Sequence, residues 1–422
     1  MAGRNSDSVR ITLSEPVVVA RSPPGLDRAA AGWGRWQFPC MDRLADGRLH
    51  VSFSIEPDSA ESNGKPLAHA YSTDDGVSWR AGAPRPGHDA EEGVLLPNGD
   101  RLKTVQLPSR RAEELDLPGS ACDFVCSYGY PRSLYRAADL PAELAGWRFR
   151  RLAAGGGRWV EEAATMRIPG ELRCVTLESS RGATPGVGGI AQVKEGPLAL
   201  PCFLGKMRVA PDGSLWAATY DWRLSGGSPR YAPMFLRSVD NGRSWDLCCE
   251  IRYQGDAEAD PQAPKRDGFT EPAACYMPDG SVICLMRTMD GNGHGPLYLA
   301  RSTDHCRTWS SPVIFDGFGK MPCLLALGKG LTLAAYGASG GPGHFAVRAT
   351  VDPAGLDWQE PVRTAVSPVE PGAWDTCGHT DMVALNDHSA LIVYSDFNFP
   401  DARGGKGKSI LARRIEATAR AA

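Results

Sequence analysis

The chain has 422 residues, of which 42% are hydrophobic and 23% charged, and its formal net charge is −3. This balance is typical of a globular protein and excludes the basic face that nucleic acids and anionic membranes require. No apolar run is long enough to span a membrane, and residues 1–16 lack the apolar core of a secretory signal. We therefore expect a cytoplasmic protein with no nucleic-acid or membrane partner.

Cysteine usage agrees with a reducing compartment. The 12 cysteines are scattered, apart from the adjacent Cys248 and Cys249, and no C-x-x-C pair occurs. Such spacing predicts neither a zinc site nor a redox motif. Several cysteines lie in apolar strand patterns, where a reduced thiol packs as a small core residue. We expect neither a metal nor a cofactor.

Six β-hairpins follow one another along the chain. Each has two β-rich runs about a turn of Gly, Asp or Asn, and the 48 glycines and 33 prolines agree with many tight turns. The hairpins occupy residues 38–54, 92–105, 206–220, 271–287, 321–336 and 380–395. Residues 148–205 have a Gly- and Pro-rich centre without a hairpin signal, which favours a long loop or insertion. The repetition predicts a single all-β domain over residues 1–422.

A second repeat closes several of these units. Residues 72–79 and 238–245 read S-x-D-x-G-x-[ST]-W, and residues 302–309 differ only because Cys306 replaces the glycine. In such a turn the Asp carboxylate accepts backbone N–H groups, the glycine takes a positive φ and the Trp packs between sheets. Weaker versions lie at residues 133–147 and 350–358. We expect these residues to be scaffold.

These turns resemble the aspartic-box repeats of the sialidase (neuraminidase) superfamily, and the resemblance covers nearly the whole chain. It implies a six-bladed β-propeller in which each hairpin unit forms one four-stranded blade. Seven blades are the alternative, because residues 148–205 are long enough to hold another one. Residues 11–23 are then expected to supply the outer strand of the last blade, which closes the ring and removes an exposed edge.

In such a ring, the start of each inner strand and the loop after the second strand converge on one central pocket. The residues at these places are rich in carboxylates, histidines and cations, which glycosidic bond cleavage requires. We assign catalytic roles to Glu271, His379, Asp58 and Glu92, and substrate-binding roles to Arg287, Lys206, Arg223, His88, Asp381 and Trp36. His379 beside Glu271 is the expected base or nucleophile. The general acid is expected among the carboxylates of Glu56, Asp58 and Glu92.

The resemblance to sialidases is incomplete at the site. Family enzymes carry a glutamate at the start of an inner strand and an arginine at the end of the next strand, and Glu271 and Arg287 look like that pair. Where the family has an R-I-P arginine, this chain reads Gln37-Phe38-Pro39. Residues 321–336 offer no third arginine, although Lys320 or Arg348 could approach the pocket. His379 stands at the place of the catalytic tyrosine, so an ordinary sialidase is not expected.

Three functions remain open from the sequence. The first is a sialidase-like glycoside hydrolase whose substrate is a glycan other than a sialoside, acidic glycans included. The second is a uronate lyase, in which His379 or His88 and Tyr220 move the proton while Arg287 or Arg223 neutralises the carboxylate. The third is a non-catalytic glycan-binding propeller.

Overall fold

The computed structural model describes most of the chain in short segments. These are residues 9–24, 26, 33–44, 46–83, 93–105, 108–127, 131–141, 144, 147–170, 172–175, 197–198, 206–225, 228–289, 295–338, 343–364, 375–401 and 404–419. Five three-residue 3₁₀ turns have described bounds, at Ala60–Ser62, Ala112–Glu114, Ala137–Asp139, Ala263–Lys265 and Gly328–Gly330. No helix in these segments has the length and apolarity needed to cross a membrane.

The first half of the chain forms short strands. In chain order they are β1 (Val9–Leu13), β2 (Val17–Arg21), β3 (Gln37–Arg43), β4 (Leu49–Ser54), β5 (Ala68–Ser72), β6 (Arg80–Ala81), β7 (Val94–Leu95), β8 (Arg101–Thr104), β9 (Arg110–Arg111), β10 (Cys122–Val125), β11 (Pro131–Arg136), β12 (Trp147–Leu152), β13 (Val160–Arg167), β14 (Leu172–Val175) and β15 (Pro197–Leu198).

Longer strands fill the second half. They are β16 (Met207–Val209), β17 (Leu215–Ser225), β18 (Ser228–Ser238), β19 (Ser244–Glu250), β20 (Gly268–Tyr276), β21 (Val282–Met289), β22 (Leu297–Ser302), β23 (Val313–Asp316), β24 (Lys320–Ala326), β25 (Thr332–Gly337), β26 (Phe345–Thr350), β27 (Val362–Arg363), β28 (Thr380–Asn386), β29 (Ser389–Pro400) and β30 (Lys406–Ala419). The prediction of an all-β chain is confirmed.

The strands form antiparallel sheets that follow the hairpin repeat. Sheet I contains β3–β6, sheet II β7, β8, β12 and β13, sheet III β16–β19, sheet IV β20–β23, sheet V β24–β27 and sheet VI β28–β30. Short parallel pairings of β13 with β19 and of β18 with β20 join sheets II, III and IV into one 12-stranded sheet. The N-terminal strands β1 and β2 both pair with β30, so the two ends of the chain meet in sheet VI, as expected. Smaller pairings join β10, β11 and β14, and β9 with β15.

Apolar side chains lie between neighbouring sheets. Five clusters of buried residues each draw on two sheets: V with VI, III with IV, II with III, IV with V, and VI with I. Because sheets III to VI are each covered on both faces, central strands such as β25 and most of β29 are buried along their length. Sheets II to VI therefore pack face to face in chain order, and sheet VI packs on sheet I.

Residues 148–205 differ from the expected long loop. Their first part contains β12 and β13, which extend sheet II, and β13 also pairs in parallel with β19 of sheet III. The later strand β14 pairs with β11, and most of residues 171–205 lie outside the described segments. Among the strands described in this stretch, none builds a separate four-stranded sheet that would correspond to a seventh blade.

The three S-x-D-x-x-x-[ST]-W turns share one geometry. In each, the Asp carboxylate accepts the backbone N–H and the hydroxyl of the residue four positions later, at 2.9 and 2.6 Å. Gly76 and Gly242 have φ values of 87° and 84°, and Cys306 holds the same left-handed conformation at 66°. The indole N–H groups of Trp79 and Trp245 donate to the box glycine carbonyls. The turn therefore keeps its shape without glycine.

These turns make stability sensitive to acid. Burial alone would raise the pKa of Asp240, but hydrogen bonds from Ser244 and Ser238 outweigh it and lower the pKa from 3.8 to about 2. A carboxyl with a depressed folded-state pKa stabilises the protein above its unfolded pKa, and this stabilisation is lost as pH falls through the folded value. We expect Asp240→Asn to lower the urea midpoint at about pH 6, and the difference from wild type to disappear near about pH 2.

The matched control for Asp240→Asn is Asp246→Asn. Asp246 forms an ion pair with Arg167 at 3.1 Å, but its side chain is 54% exposed, so we expect little change at either pH. A pH-independent loss in Asp240→Asn would contradict the hydrogen-bonded carboxylate as the source of the acid sensitivity.

Candidate functional site

A bulge recurs at the start of three first strands, those of sheets I, IV and V. It occurs in Gln37-Phe38-Pro39-Cys40, Thr270-Glu271-Pro272-Ala273 and Lys320-Met321-Pro322-Cys323, where the pairing register breaks. The second residue of each has a left-handed backbone, with φ of 56° at Phe38, 51° at Glu271 and 43° at Met321. Non-glycine residues adopt this conformation at a cost, and such outliers are concentrated at functional sites. Proline fits the next position because a bulge releases one residue from the ladder.

Glu271 links sheets IV and V. One carboxylate oxygen accepts from Arg287 Nη1 at 2.6 Å, and the other accepts from the backbone N–H of Met321 at 2.7 Å. The two side chains are only 10% and 11% exposed. Charge-assisted hydrogen bonds of this kind fix both groups in orientation. Glu271 is therefore held as a positioning carboxylate, and the planar guanidinium of Arg287 is held with it.

Lys206 and Asp381 form a second ion pair, between sheets III and VI. Lys206 Nζ lies 2.5 Å from Asp381 Oδ1, and Asp381 Oδ2 accepts the backbone N–H of Met41 in sheet I at 3.0 Å. Burial alone would raise the pKa of Asp381, but the Lys206 charge and these hydrogen bonds lower it. Burial opposes the Lys206 charge, yet Asp381 raises the Lys206 pKa. Since the Lys206 side chain is 59% exposed, burial has little effect on its pKa, and the Asp381 carboxylate determines the direction of the shift.

Two thiols lie beside this pair. Cys323 Sγ donates to Asp381 Oδ1 at 3.4 Å, and Cys40 is within electrostatic range of Asp381, Lys206 and Cys323. Burial, reinforced by the Asp381 charge, raises the pKa of Cys323 to about 12. The thiol is therefore protonated and is not a nucleophile. Sequence reasoning missed both residues, although each directly follows the proline of the bulge motif.

His379 lies among these charges. Burial lowers the pKa of His379 below its usual 6.5, against the opposing influence of Asp381 and Glu271 and with the help of Lys206. Its ring centroid is 6.1 Å from that of Phe38, the bulge residue of sheet I. The imidazole is therefore neutral near pH 7 and can accept a proton. The structure brings together five residues that the sequence assigns to one site. Two ion pairs, Glu271–Arg287 and Asp381–Lys206, lie near the imidazole of His379.

Other predicted residues lie apart from this cluster. Asp58 is exposed and accepts from Trp33 Nε1 at 3.0 Å. Arg223 pairs with Glu250 at 2.6 Å, and Trp36 packs against the cluster between sheets VI and I. Arg348 contacts Asp316 and the Tyr336 hydroxyl within sheets IV and V, so it is engaged there. His88 and Glu92 lie outside the described residues.

The cluster has no metal-binding arrangement among the described residues. Within the described segments, no group of three or more His, Cys, Asp or Glu side chains is arranged to hold a metal ion. The charged side chains of the cluster are instead satisfied by one another, as the pairs Glu271–Arg287 and Asp381–Lys206. What the cluster offers chemically is a neutral imidazole next to two paired cations.

Comparisons with known proteins give a likeness of fold. No protein-family model and no curated protein matches the sequence. A protein of unknown function from Dyadobacter fermentans is similar at 17% identity with a TM-score of 0.59, over 98% of this chain and 100% of that chain. A Hadza microbial sialidase follows at 14% identity and a TM-score of 0.48, over 91% of this chain and 65% of that one. An α-L-arabinanase from Penicillium chrysogenum has 12% identity and a TM-score of 0.46, over 95% and 98%.

Proposed function

We propose that sheets I–VI are the blades of a six-bladed β-propeller, and that the chain is a sialidase-like glycoside hydrolase whose substrate is a glycan other than a sialoside. The face-to-face packing of sheets II to VI in chain order, and of sheet VI on sheet I, supports the ring. The pairing of β1 and β2 with β30 supports its closure, because it joins the two chain ends in one blade. The first strands then surround the axis, where Glu271 and His379 lie.

The non-sialoside substrate follows from the charge of the cluster. Gln37, which stands where the family has an arginine, is fully buried and accepts the Gly34 N–H at 2.9 Å. Arg287 and Lys206 are each already paired with a carboxylate. Each of these two ion pairs is therefore charge-balanced, and neither offers an excess positive charge to the carboxylate of a sialic acid.

The placement of His379 beside Glu271, Asp381 and Lys206 is the observation on which the hydrolase proposal rests. Glycoside hydrolysis requires a base or nucleophile on one side of the bond and an acid on the other. His379 is the base in our proposal, since burial keeps it neutral near pH 7. Arg287, held by Glu271, binds sugar hydroxyls. The acid comes from the loop carboxylates predicted from the sequence, of which Asp58 is described.

Loss of the base tests this role. We expect His379→Gln to lower kcat by about 10²-fold or more on whichever glycoside is cleaved in a screen of aryl glycosides and oligosaccharides. The wild-type rate should fall as pH drops below the His379 pKa, itself below 6.5. His388→Gln is the control, because the His388 side chain is 57% exposed and lies beside Glu416, which is not part of the candidate site. Unchanged kcat in His379→Gln, or binding of glycans without any turnover by wild type, would contradict the proposal.

A uronate lyase is the second candidate. The neutral imidazole of His379 favours it, because elimination also begins with a proton taken by a base. The two reactions give different products, since elimination creates a conjugated double bond and hydrolysis does not. Ultraviolet absorbance of the products from uronate-containing polysaccharides therefore distinguishes them.

A further inference from the structure

A large cleft lies between sheets II and III, away from the Lys206–Glu271 cluster. Its volume is about 900 Å³, and its aliphatic wall includes Met166, Ile168 and Leu224. Leu224 is 39% exposed, so its side chain is available to a ligand in the cleft. An aliphatic wall of this kind suits the C–H face of a sugar ring or another flat, partly apolar group.

Arginines supply the charge of the cleft. Arg136, Arg223 and Arg252 line it, and Glu250 accepts from Arg223 at 2.6 Å and from Arg252 at 3.2 Å. One carboxylate thus serves two guanidinium groups, and Arg136 adds a third positive charge. Arg136 is exposed and the Arg252 side chain is 51% exposed, so both can reach a ligand. The described groups leave an excess of two positive charges.

The cleft opens at the same end of the sheets as the proposed active site. Arg223 lies near the end of β17, and its antiparallel partner is Arg230 of β18. The next residue, Tyr231, bridges in parallel to Gly268, three residues before Glu271. A chain-like ligand bound at the Glu271 end of the sheets can therefore extend outward into the cleft.

We propose that this cleft binds a uronate residue of an extended acidic oligosaccharide whose neighbouring residues lie at the Lys206–Glu271 cluster, an inference that rests on the proposed function. The guanidinium fork matches a carboxylate bidentately, and an excess positive charge favours that ligand here. The acidic group therefore binds at the cleft, and a neighbouring residue of the glycan lies at the axis. The cleft thereby selects acidic glycans without a sialidase arginine triad.

Binding measurements with defined probes test the proposal. Trigalacturonate and uncharged galactotriose are titrated calorimetrically into the full-length wild type, Arg136→Ala/Arg252→Ala and the control Arg43→Ala. Arg43 also forms an ion pair, with Asp75 at 3.0 Å, but lies in sheet I. We expect trigalacturonate to bind wild type and Arg43→Ala alike, with affinity that falls as salt rises. The double variant should bind it at least about 10-fold more weakly, the size of one charge-assisted contact.

The outcomes separate this inference from the proposed function. Equal affinity for trigalacturonate in the double variant, equal affinity for galactotriose, or tight binding of hexaglutamate would each overturn the uronate site. His379→Gln should keep trigalacturonate affinity while losing turnover. Intact, arginine-dependent binding with no cleavage of any glycan by wild type would support the cleft and refute the hydrolase.

Discussion

Replacing Gly337 by alanine is expected to destabilise the protein by about 3 kcal/mol or more, at the upper end of overpacking effects. A Cβ at Gly337 would lie 1.8 Å from the carbonyl oxygen of Gly378 and 2.4 Å from its Cα. Both are backbone atoms of the neighbouring sheet segment, so no side-chain rotation can relieve the contact. Relief requires sheets V and VI to separate, which also displaces His379, the next residue after Gly378.

The control for Gly337→Ala is Gly317→Ala. Gly317 lies in the same part of the chain, and a Cβ there meets no atom within 4 Å. Urea unfolding of both variants gives the comparison, and Gly317→Ala should stay within about 1 kcal/mol of wild type. If Gly337→Ala matched it, the close approach of β25 to Gly378, and with it the packing of sheet V on sheet VI, would be wrong.

The sequence predicts the hairpins and turns of this fold well because their signals are local. A turn such as residues 238–245 is specified by its own hydrogen bonds within eight residues. Strands β12 and β13 were missed because their signal is weak. β13 is mostly exposed, with a single buried position along its eight residues, so apolar periodicity does not mark it. Its pairing with β12 and β19 supplies what the local sequence lacks.

The sequence predicts those parts of the candidate site whose residues meet within a single hairpin. Glu271 and Arg287 meet because Thr270 pairs with Arg287 and a bulge follows, a geometry encoded by one hairpin. The Asp381 carboxylate, by contrast, depends on Lys206, Cys323 and Met41 from three other sheets. Such contacts are set by inter-sheet packing and have no local signal. Likewise, the partner of Arg223 is Glu250, 27 residues away, and nothing near Arg223 predicts it.

Removal of Arg287 is expected to be nearly as severe as the Gly337 change. Arg287→Met should cost about 3 kcal/mol, because removing one partner leaves a buried carboxylate without its countercharge. Glu271 is 10% exposed, and the Met321 N–H still donates to it at 2.7 Å. Glu271→Gln should cost a comparable amount, about 3 kcal/mol, because it takes the Glu271 countercharge from the Arg287 guanidinium, which is 11% exposed.

A double-variant cycle measures the pair itself. Arg287→Met/Glu271→Gln should be more stable than the sum of the single losses predicts, by about 1 kcal/mol or more, because the uncompensated charge is gone. Arg43→Met is the exposed comparison: Arg43 and Asp75 are 34% and 57% exposed, and we expect a loss of less than about 1 kcal/mol. An Arg287→Met loss as small as that of Arg43→Met would mean that water reaches Glu271. The carboxylate would then no longer be fixed, and the ordered placement of Arg287 beside it would be lost.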